Sequence, residues 1–243
     1  MNAYFNRCGI DTKISVSIRR VFTRSILAIG YFSISVSLCA QSADPDPKRF
    51  QKEIEKFSEW DSKNAFPKDA VLFVGSSSIR MWKTALAFPK TPVINRGFGG
   101  SELSDVNFYY KQLVEQYAPK VIYLYEGDND IANGKSAEQV LADYKELVRT
   151  VRSTLPQTTL AFISIKPSAS RWEKWPIMSQ ANDLIKSFTK TDPKLRYVDL
   201  ATPLFDRRGA LRQDIFISDG LHLNDNGYRL WRAALLPSIE SLR

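Results

Sequence analysis

Val71-Leu72-Phe73-Val74-Gly75-Ser76-Ser77-Ser78 runs four apolar residues, two of them β-branched, directly into glycine and three serines. A continuous apolar run of this length, bounded by turn residues, reads as a strand buried on both faces of a parallel sheet. Ile79-Arg80-Met81-Trp82 then reads as the opening of a helix. In an open α/β sheet the carboxyl ends of the strands are where ligands bind. A serine hydroxyl at such an end, beside helix-N-terminal amides, suits attack on a carbonyl.

The same alternation continues on both sides. Phe50, Ile54, Phe57 and Trp60 recur at helical spacing, so Pro47 to Trp60 predicts an amphipathic helix. Pro92 to Asn95 reads as a second strand, Arg96 to Ser101 as a loop, and Leu103 to Tyr117 as a helix closed by Pro119. Val121 to Tyr125 is a third strand, ending in Glu126-Gly127-Asp128-Asn129-Asp130. A helix from Ser136 to Leu155, capped by Ser136, leads to a fourth strand over Thr158 to Ile165. A helix from Trp175 or Pro176 to Lys190, a short fifth strand over Leu195 to Asp199 and a closing helix over Asn224 to Leu242 complete the pattern. Strands alternating with helices predict parallel βαβ units and a three-layer α/β/α domain spanning residues 44–243.

The chain of 243 residues is long enough for one domain with a substantial core. Arg19, Arg20 and Arg24 precede an apolar run from Ser25 to Cys39, and small residues follow at Ala40, Ser42 and Ala43. That order predicts a signal peptide over residues 1–43 and an exported protein, periplasmic or secreted. The apolar run is shorter than the roughly 20 residues a spanning helix needs, so no stable membrane span is expected in the mature chain. Anchoring by an uncleaved N-terminal segment is the alternative. Leu38 precedes Cys39 where a lipoprotein signal would place a small residue. Both cysteines, Cys8 and Cys39, fall in this segment, so no disulfide framework is expected in the mature chain. The first 42 residues also carry half of the net charge of +8. What remains is mild basicity spread along the chain, which argues against a nucleic-acid partner.

Four short motifs supply complementary chemistry. Ser77 is a candidate nucleophile, although a glycine-serine cluster alone is equally a turn or a helix cap. Gly97-Phe98-Gly99-Gly100-Ser101 lets the backbone approach a ligand closely, and the Gly100 amide is a candidate oxyanion donor. Asn129 offers a neutral side-chain donor for the same purpose. An Asx-turn and a metal site on Asp128 and Asp130 are the rival readings of that motif; too few carboxylates lie near to favour the metal, and none is expected. Asp219-Gly220-Leu221-His222 holds the only histidine of the chain. One turn brings the carboxylate to Nδ1–H and leaves Nε2 free as a general base. A histidine base also predicts activity that falls in acid, where imidazole protonates.

Taken together, Gly75-Ser76-Ser77, Gly100, Gly127-x-Asn129-Asp130 and Asp219-x-x-His222 resemble, in content and in order, the four blocks of the SGNH (GDSL-type) hydrolase superfamily. The Val-Gly-x-Ser strand end and the Gly-Phe-Gly-Gly loop are most similar to the branch containing platelet-activating-factor acetylhydrolase subunits and related bacterial esterases. The resemblance implies a flavodoxin-like fold with five parallel strands and no cofactor. It implies Ser77 as nucleophile, the amides of Ser77 and Gly100 with the Asn129 side chain as oxyanion hole, and Asp219 and His222 as orienting acid and base. One departure is that Ser76 stands where the family often has aspartate.

The expected function is therefore hydrolysis of a small acyl ester, on a carbohydrate or a short-chain lipid, through an acyl-enzyme. A lysophospholipase or thioesterase with the same site, and a non-catalytic carbohydrate-binding protein on the same fold, are the alternatives. Trp172 and Trp175 sit on the rim of the expected site, as pocket lining or as loop anchors, while Arg96 and Arg171 read best as solvated surface charge. Phe108, Tyr109 and Tyr110 read as the buried face of a helix.

Overall fold

The computed structural model describes residues 43–241. Apart from Ala43, the expected signal peptide lies outside the described residues, as do both cysteines. Five strands form one parallel sheet: β1 (Val71–Gly75), β2 (Val93–Gly97), β3 (Val121–Tyr125), β4 (Thr159–Ile163) and β5 (Leu195–Val198), in the order β2-β1-β3-β4-β5. The chain leaves β1 for β2 on one side and returns to β3 on the other. This is the flavodoxin-like order, and the reversal opens a crevice at the carboxyl ends of β1 and β3.

The central strands β1, β3 and β4 are almost wholly apolar because both faces are covered, whereas the edge strands β2 and β5 also carry Asn95, Arg96 and Arg196. Leu72, Val74, Ile122, Leu124, Leu160 and Phe162 point into one core. There they meet α1 (Gln51–Lys63), α4 (Leu103–Phe108), α5 (Tyr110–Leu113), α7 (Ala137–Thr154) and α8 (Trp175–Phe188). The alternate residues Val71, Phe73, Val121, Tyr123, Ala161 and Ile163 point into the other, against Ile79 of α2 (Ser77–Arg80), Trp82, Phe88 and the Trp231-Leu235-Ile239 stripe of α9 (Asp225–Glu240). Two one-turn helices complete the set, α3 (Thr84–Ala87) and α6 (Asp128–Ala132). The expected three-layer α/β/α architecture and its five strands are present. Among the described residues no helix is long and apolar enough to cross a membrane.

Two expectations need correction. The helix expected from Leu103 to Tyr117 is broken into α4, α5 and a 3₁₀ turn over Glu115–Tyr117. Phe108 is 57% exposed, whereas Tyr109 and Tyr110 are buried. Consecutive residues of one helix point about 100° apart, and the break at Tyr109 lets both tyrosines reach the core. After β3 the chain turns directly into α6, which starts at Asp128. Ser136 caps α7 as expected, in a reciprocal pair with Gln139.

Candidate active site

The corner after β1 is set by Gly75, whose φ is +144°. A Cβ there would lie 2.0 Å from the carbonyl oxygen of Tyr125, so only glycine lets β1 close on the end of β3. Ser76 is extended, its amide donating to Tyr125 O at 3.2 Å, and α2 begins at Ser77. The Ser77 amide is thus in a first helical turn, where backbone N–H groups lack intrahelical acceptors. Ser76 and Ser78 are buried, and it is the Ser77 hydroxyl that meets the histidine, Oγ to Nε2 at 2.8 Å.

The segment before α9 supplies the other partners. Asp219 Oδ1 accepts the amides of Leu221 (2.8 Å) and His222 (2.9 Å). Its Oδ2 lies 2.5 Å from His222 Nδ1, which places the ring proton on Nδ1 and leaves Nε2 to accept from Ser77. Burial pushes the Asp219 carboxyl up, but the bonds from the His222 ring and from the two amides outweigh it and hold the group at about 2. The loop is closed by the Ile217 amide on the His222 carbonyl (2.9 Å), and Gly220 takes φ +63° at its tip.

The other expected residues lie in loops tied to this corner. The Phe98 amide donates to Gly75 O at 2.8 Å, fixing the loop after β2 to the end of β1. Asn129 Nδ2 donates to Ser101 O at 2.9 Å, fixing the corner after β3 to the same loop. Gly100 sits between these two ties with φ +82°. Behind them lies a buried polar layer. Ser101 Oγ is 3.0 Å from Phe98 O and 2.5 Å from Glu126 Oε1. Burial, with Asp130 nearby, raises the Glu126 carboxyl well above the usual range.

Sequence reasoning missed a second set of groups at the site. Asp128 Oδ1 accepts from Arg171 Nη1 at 2.5 Å, and its Oδ2 accepts from Lys166 Nζ and the Tyr125 hydroxyl, both at 3.0 Å. Burial of Asp128 pushes its carboxyl up, but Lys166 and Arg171 outweigh this and lower it. Arg171 Nη1 and Nη2 each donate to Asn129 Oδ1 at 3.1 Å. Arg171 is therefore not a solvated surface charge, and neither is Arg96, which pairs with Asp61 and donates to the Tyr117 hydroxyl at 2.6 Å. The one sequence signal was Lys166, a charged residue in an otherwise buried stretch beside β4. Trp172 and Trp175 pack on Phe205, with ring centroids 6.4 and 5.7 Å away. The carboxylates of the metal reading, Asp128 and Asp130, are engaged by ammonium, guanidinium and amide donors, and no cluster among the described residues offers a ligand set.

Comparison with known proteins places this geometry. No curated protein matches the sequence. Among solved structures, a Streptococcus pneumonia protein named for platelet activating factor is 21% identical and superposes with a TM-score of 0.70 over 79% of this chain and 93% of that one. A GDSL-like lipase of Bacteroides thetaiotaomicron is 19% identical, with a TM-score of 0.62 over 82% and 98%. Axe2, an acetylxylan esterase of Geobacillus stearothermophilus, is 14% identical, with a TM-score of 0.60 over 72% and 95%. At these identities the likeness establishes the fold. The sequence pattern of the GDSL-like lipase/acylhydrolase family matches residues 75–230, from the glycine that ends β1 into α9, and the chain belongs to that family as a serine ester hydrolase.

Proposed function

We infer that the protein is an exported esterase that removes a small acyl group, acetyl foremost, from a carbohydrate or a short-chain lipid. Ser77 is its nucleophile, His222 its base and Asp219 its orienting acid. The observation that carries this reading is the His222 ring, which spans Asp219 (2.5 Å) and Ser77 (2.8 Å) in one line of hydrogen bonds. The order of arginines, apolar run and small residues within the first 43 residues supports export. The likeness to an acetylxylan esterase supports an acetylated carbohydrate as the first substrate class to test.

In the mechanism, Ser77 Oγ attacks the ester carbonyl as its proton passes to His222 Nε2. The Asp219 carboxylate, ionised down to about pH 2, stabilises the imidazolium through Nδ1–H. Negative charge collects on the former carbonyl oxygen among the Ser77 and Gly100 amides and the Asn129 side chain. The intermediate collapses as His222 returns the proton to the leaving alkoxide, giving alcohol and acyl-Ser77. Water then repeats the sequence, with His222 taking its proton, and releases the acid and free Ser77.

One observation favours longer acyl chains as a second reading. A groove of about 520 Å³ is lined by Met81, Trp82, Leu86, Ile217, Leu223 and Tyr228 among others, and two of these are bonded to the backbone of Ser77 and His222. Met81 donates its amide to Ser77 O, and Ile217 donates its own to His222 O, both at 2.9 Å. A lysophospholipase or thioesterase would use that groove, and a series of p-nitrophenyl esters from acetate to decanoate separates the two readings. The central test is hydrolysis of p-nitrophenyl acetate by the wild type, Ser77→Ala and His222→Ala. Activity abolished in both variants at unchanged melting temperature is expected; activity retained in either refutes the assignment.

A further inference from the structure

We propose that Arg171 is a positioning residue that orients and polarises Asn129 as the oxyanion donor, and that the segment after β4 thereby braces both halves of the site. The proposal rests on the reading of Asn129 as an oxyanion donor.

The carboxamide of Asn129 has two nearly isosteric ends, and its partners decide which faces where. Arg171 has only donors, and it places two of them on Oδ1 at 3.1 Å. The Ser101 carbonyl can only accept, and it takes one N–H of Nδ2 at 2.9 Å. Flipping the amide would set N–H against guanidinium and oxygen against carbonyl. The orientation is therefore unique, and the second N–H of Nδ2 remains for an oxyanion. A guanidinium on Oδ1 also draws electron density from the amide, which makes that N–H a stronger donor.

Arg171 is itself held in place. Asp128, the neighbour of Asn129 in sequence, binds Nη1, and Asp128 is fixed in turn by Lys166 and Tyr125. The Lys166 side chain is fully buried and that of Arg171 is 22% exposed. Two cations thus share one carboxylate behind Asn129, which fixes the guanidinium against Oδ1. On its other side, the Ser170 amide and hydroxyl both donate to Gly220 O, at 3.1 and 3.3 Å, within the loop that carries Asp219 and His222. Residues 170 and 171 therefore connect the acid-base loop to the oxyanion corner. An anionic substrate is a poor alternative partner for Arg171, because both its Nη atoms are already committed to Asp128 and Asn129.

The test is a double-variant cycle on p-nitrophenyl acetate, a neutral substrate, with Arg171→Ala, Asn129→Ala and the pair together. Losing one oxyanion donor costs roughly 10²–10³ in kcat, so Arg171→Ala, which misorients that donor, is expected to cost roughly 10–100-fold in kcat with KM changed less than about twofold. In the Asn129→Ala background the arginine substitution should cost nothing further. Arg171→Lys, which keeps the charge but not the two-pronged contact, should recover part of the loss. It also replaces Arg171→Ala in the cycle if the alanine variant melts early. Losses that multiply in the double variant overturn the proposal, because Arg171 would then act independently of Asn129. A raised KM with unchanged kcat overturns it in favour of substrate binding. Full activity in Asn129→Ala, with Ser77→Ala inactive, removes the oxyanion reading itself and the proposal with it.

Discussion

Replacing Glu126 by glutamine should flatten part of the pH dependence of stability, and the direction of the effect follows from the hydrogen bonds around one hydroxyl. Ser101 Oγ lies 3.0 Å from the Phe98 carbonyl and 2.5 Å from Glu126 Oε1. A hydroxyl has one proton. If it is given to the Phe98 carbonyl, which cannot donate, Ser101 must accept from Glu126, and Glu126 must carry a proton. The other oxygen, Oε2, is buried without a hydrogen-bond partner, which a neutral acid tolerates far better than a carboxylate. Burial and the nearby Asp130 push the group in the same direction, well above its ordinary 4.5.

The sign is then determined. Between the unfolded and folded pKa values the native protein binds a proton that the unfolded chain has released, so stability falls as pH rises. One such proton gives a slope of at most about 1.36 kcal/mol per pH unit, in the range above the ordinary glutamate value and below the raised folded one. For a domain of this size each kcal/mol corresponds to roughly 2–4 °C in melting temperature. Glutamine keeps a donor for Ser101 and cannot ionise. The assay is thermal unfolding of the wild type and Glu126→Gln across that range. The variant's melting temperature, relative to wild type, should rise from the acid end to the neutral end. Taking the difference cancels titrating groups that do not interact with Glu126. Parallel curves would refute the reasoning, because they would mean Glu126 has the same charge in the folded and unfolded protein.

Three further outcomes follow from the same structure. Asp219→Asn loses the acceptor that selects the Nδ1–H tautomer and should lower kcat by up to about 10⁴ with little change in KM; a loss below about tenfold would detach Asp219 from the reaction. Gly75→Ala forces a Cβ to within 2.0 Å of the Tyr125 carbonyl at a φ of +144°, so β1 and β3 must part at their ends. We expect a loss of at least about 3 kcal/mol in denaturant unfolding or no folded product, and a wild-type midpoint would show that the corner relaxes freely. Trp231→Ala empties a fully buried site packed by Trp82, Tyr125 and Tyr228 and frees the Leu200 carbonyl that the indole N–H now satisfies. That should cost about 3–5 kcal/mol, with Trp231→Phe losing distinctly less.

Local chemistry explains why the fold and the contact of His222 with Asp219 and Ser77 could be read from the chain. Buried strands such as Val121–Tyr125 are apolar on both faces, and polar groups of the candidate site such as Ser77 and Asn129 follow them within a few residues. Asp219 and His222 are three apart and are joined by one turn. What remained hidden is carried by long-range pairs of charged side chains. Arg171 is 42 residues from Asn129 and Lys166 is 38 from Asp128; in isolation each resembles the solvated cations that occupy most surfaces. Nothing in the residues around Arg171 says that its guanidinium will find two acceptors already placed by the end of β3.

The same asymmetry explains the broken helix at Tyr109. Periodicity reports which residues are apolar, but it cannot tell that two adjacent tyrosines will both be drawn inward while Phe108 stays out. That choice is made by the partners: Tyr109 donates to the Pro47 carbonyl at 3.1 Å, and the Tyr110 hydroxyl pairs with Thr154 at 2.6 Å. The two hydroxyls therefore reach for α1's approach and for the end of α7, in different directions. A continuous helix would aim adjacent side chains about 100° apart with no freedom to adjust either. Giving up one turn of helical hydrogen bonding there satisfies two phenols that would otherwise be buried without partners, each at a cost of about 1–3 kcal/mol. Phenylalanine at both positions should accordingly restore helical continuity from Leu103 to Leu113, read as amide exchange protection across Tyr109. An unchanged exchange pattern would place the cause of the break in the backbone and not in the hydroxyls.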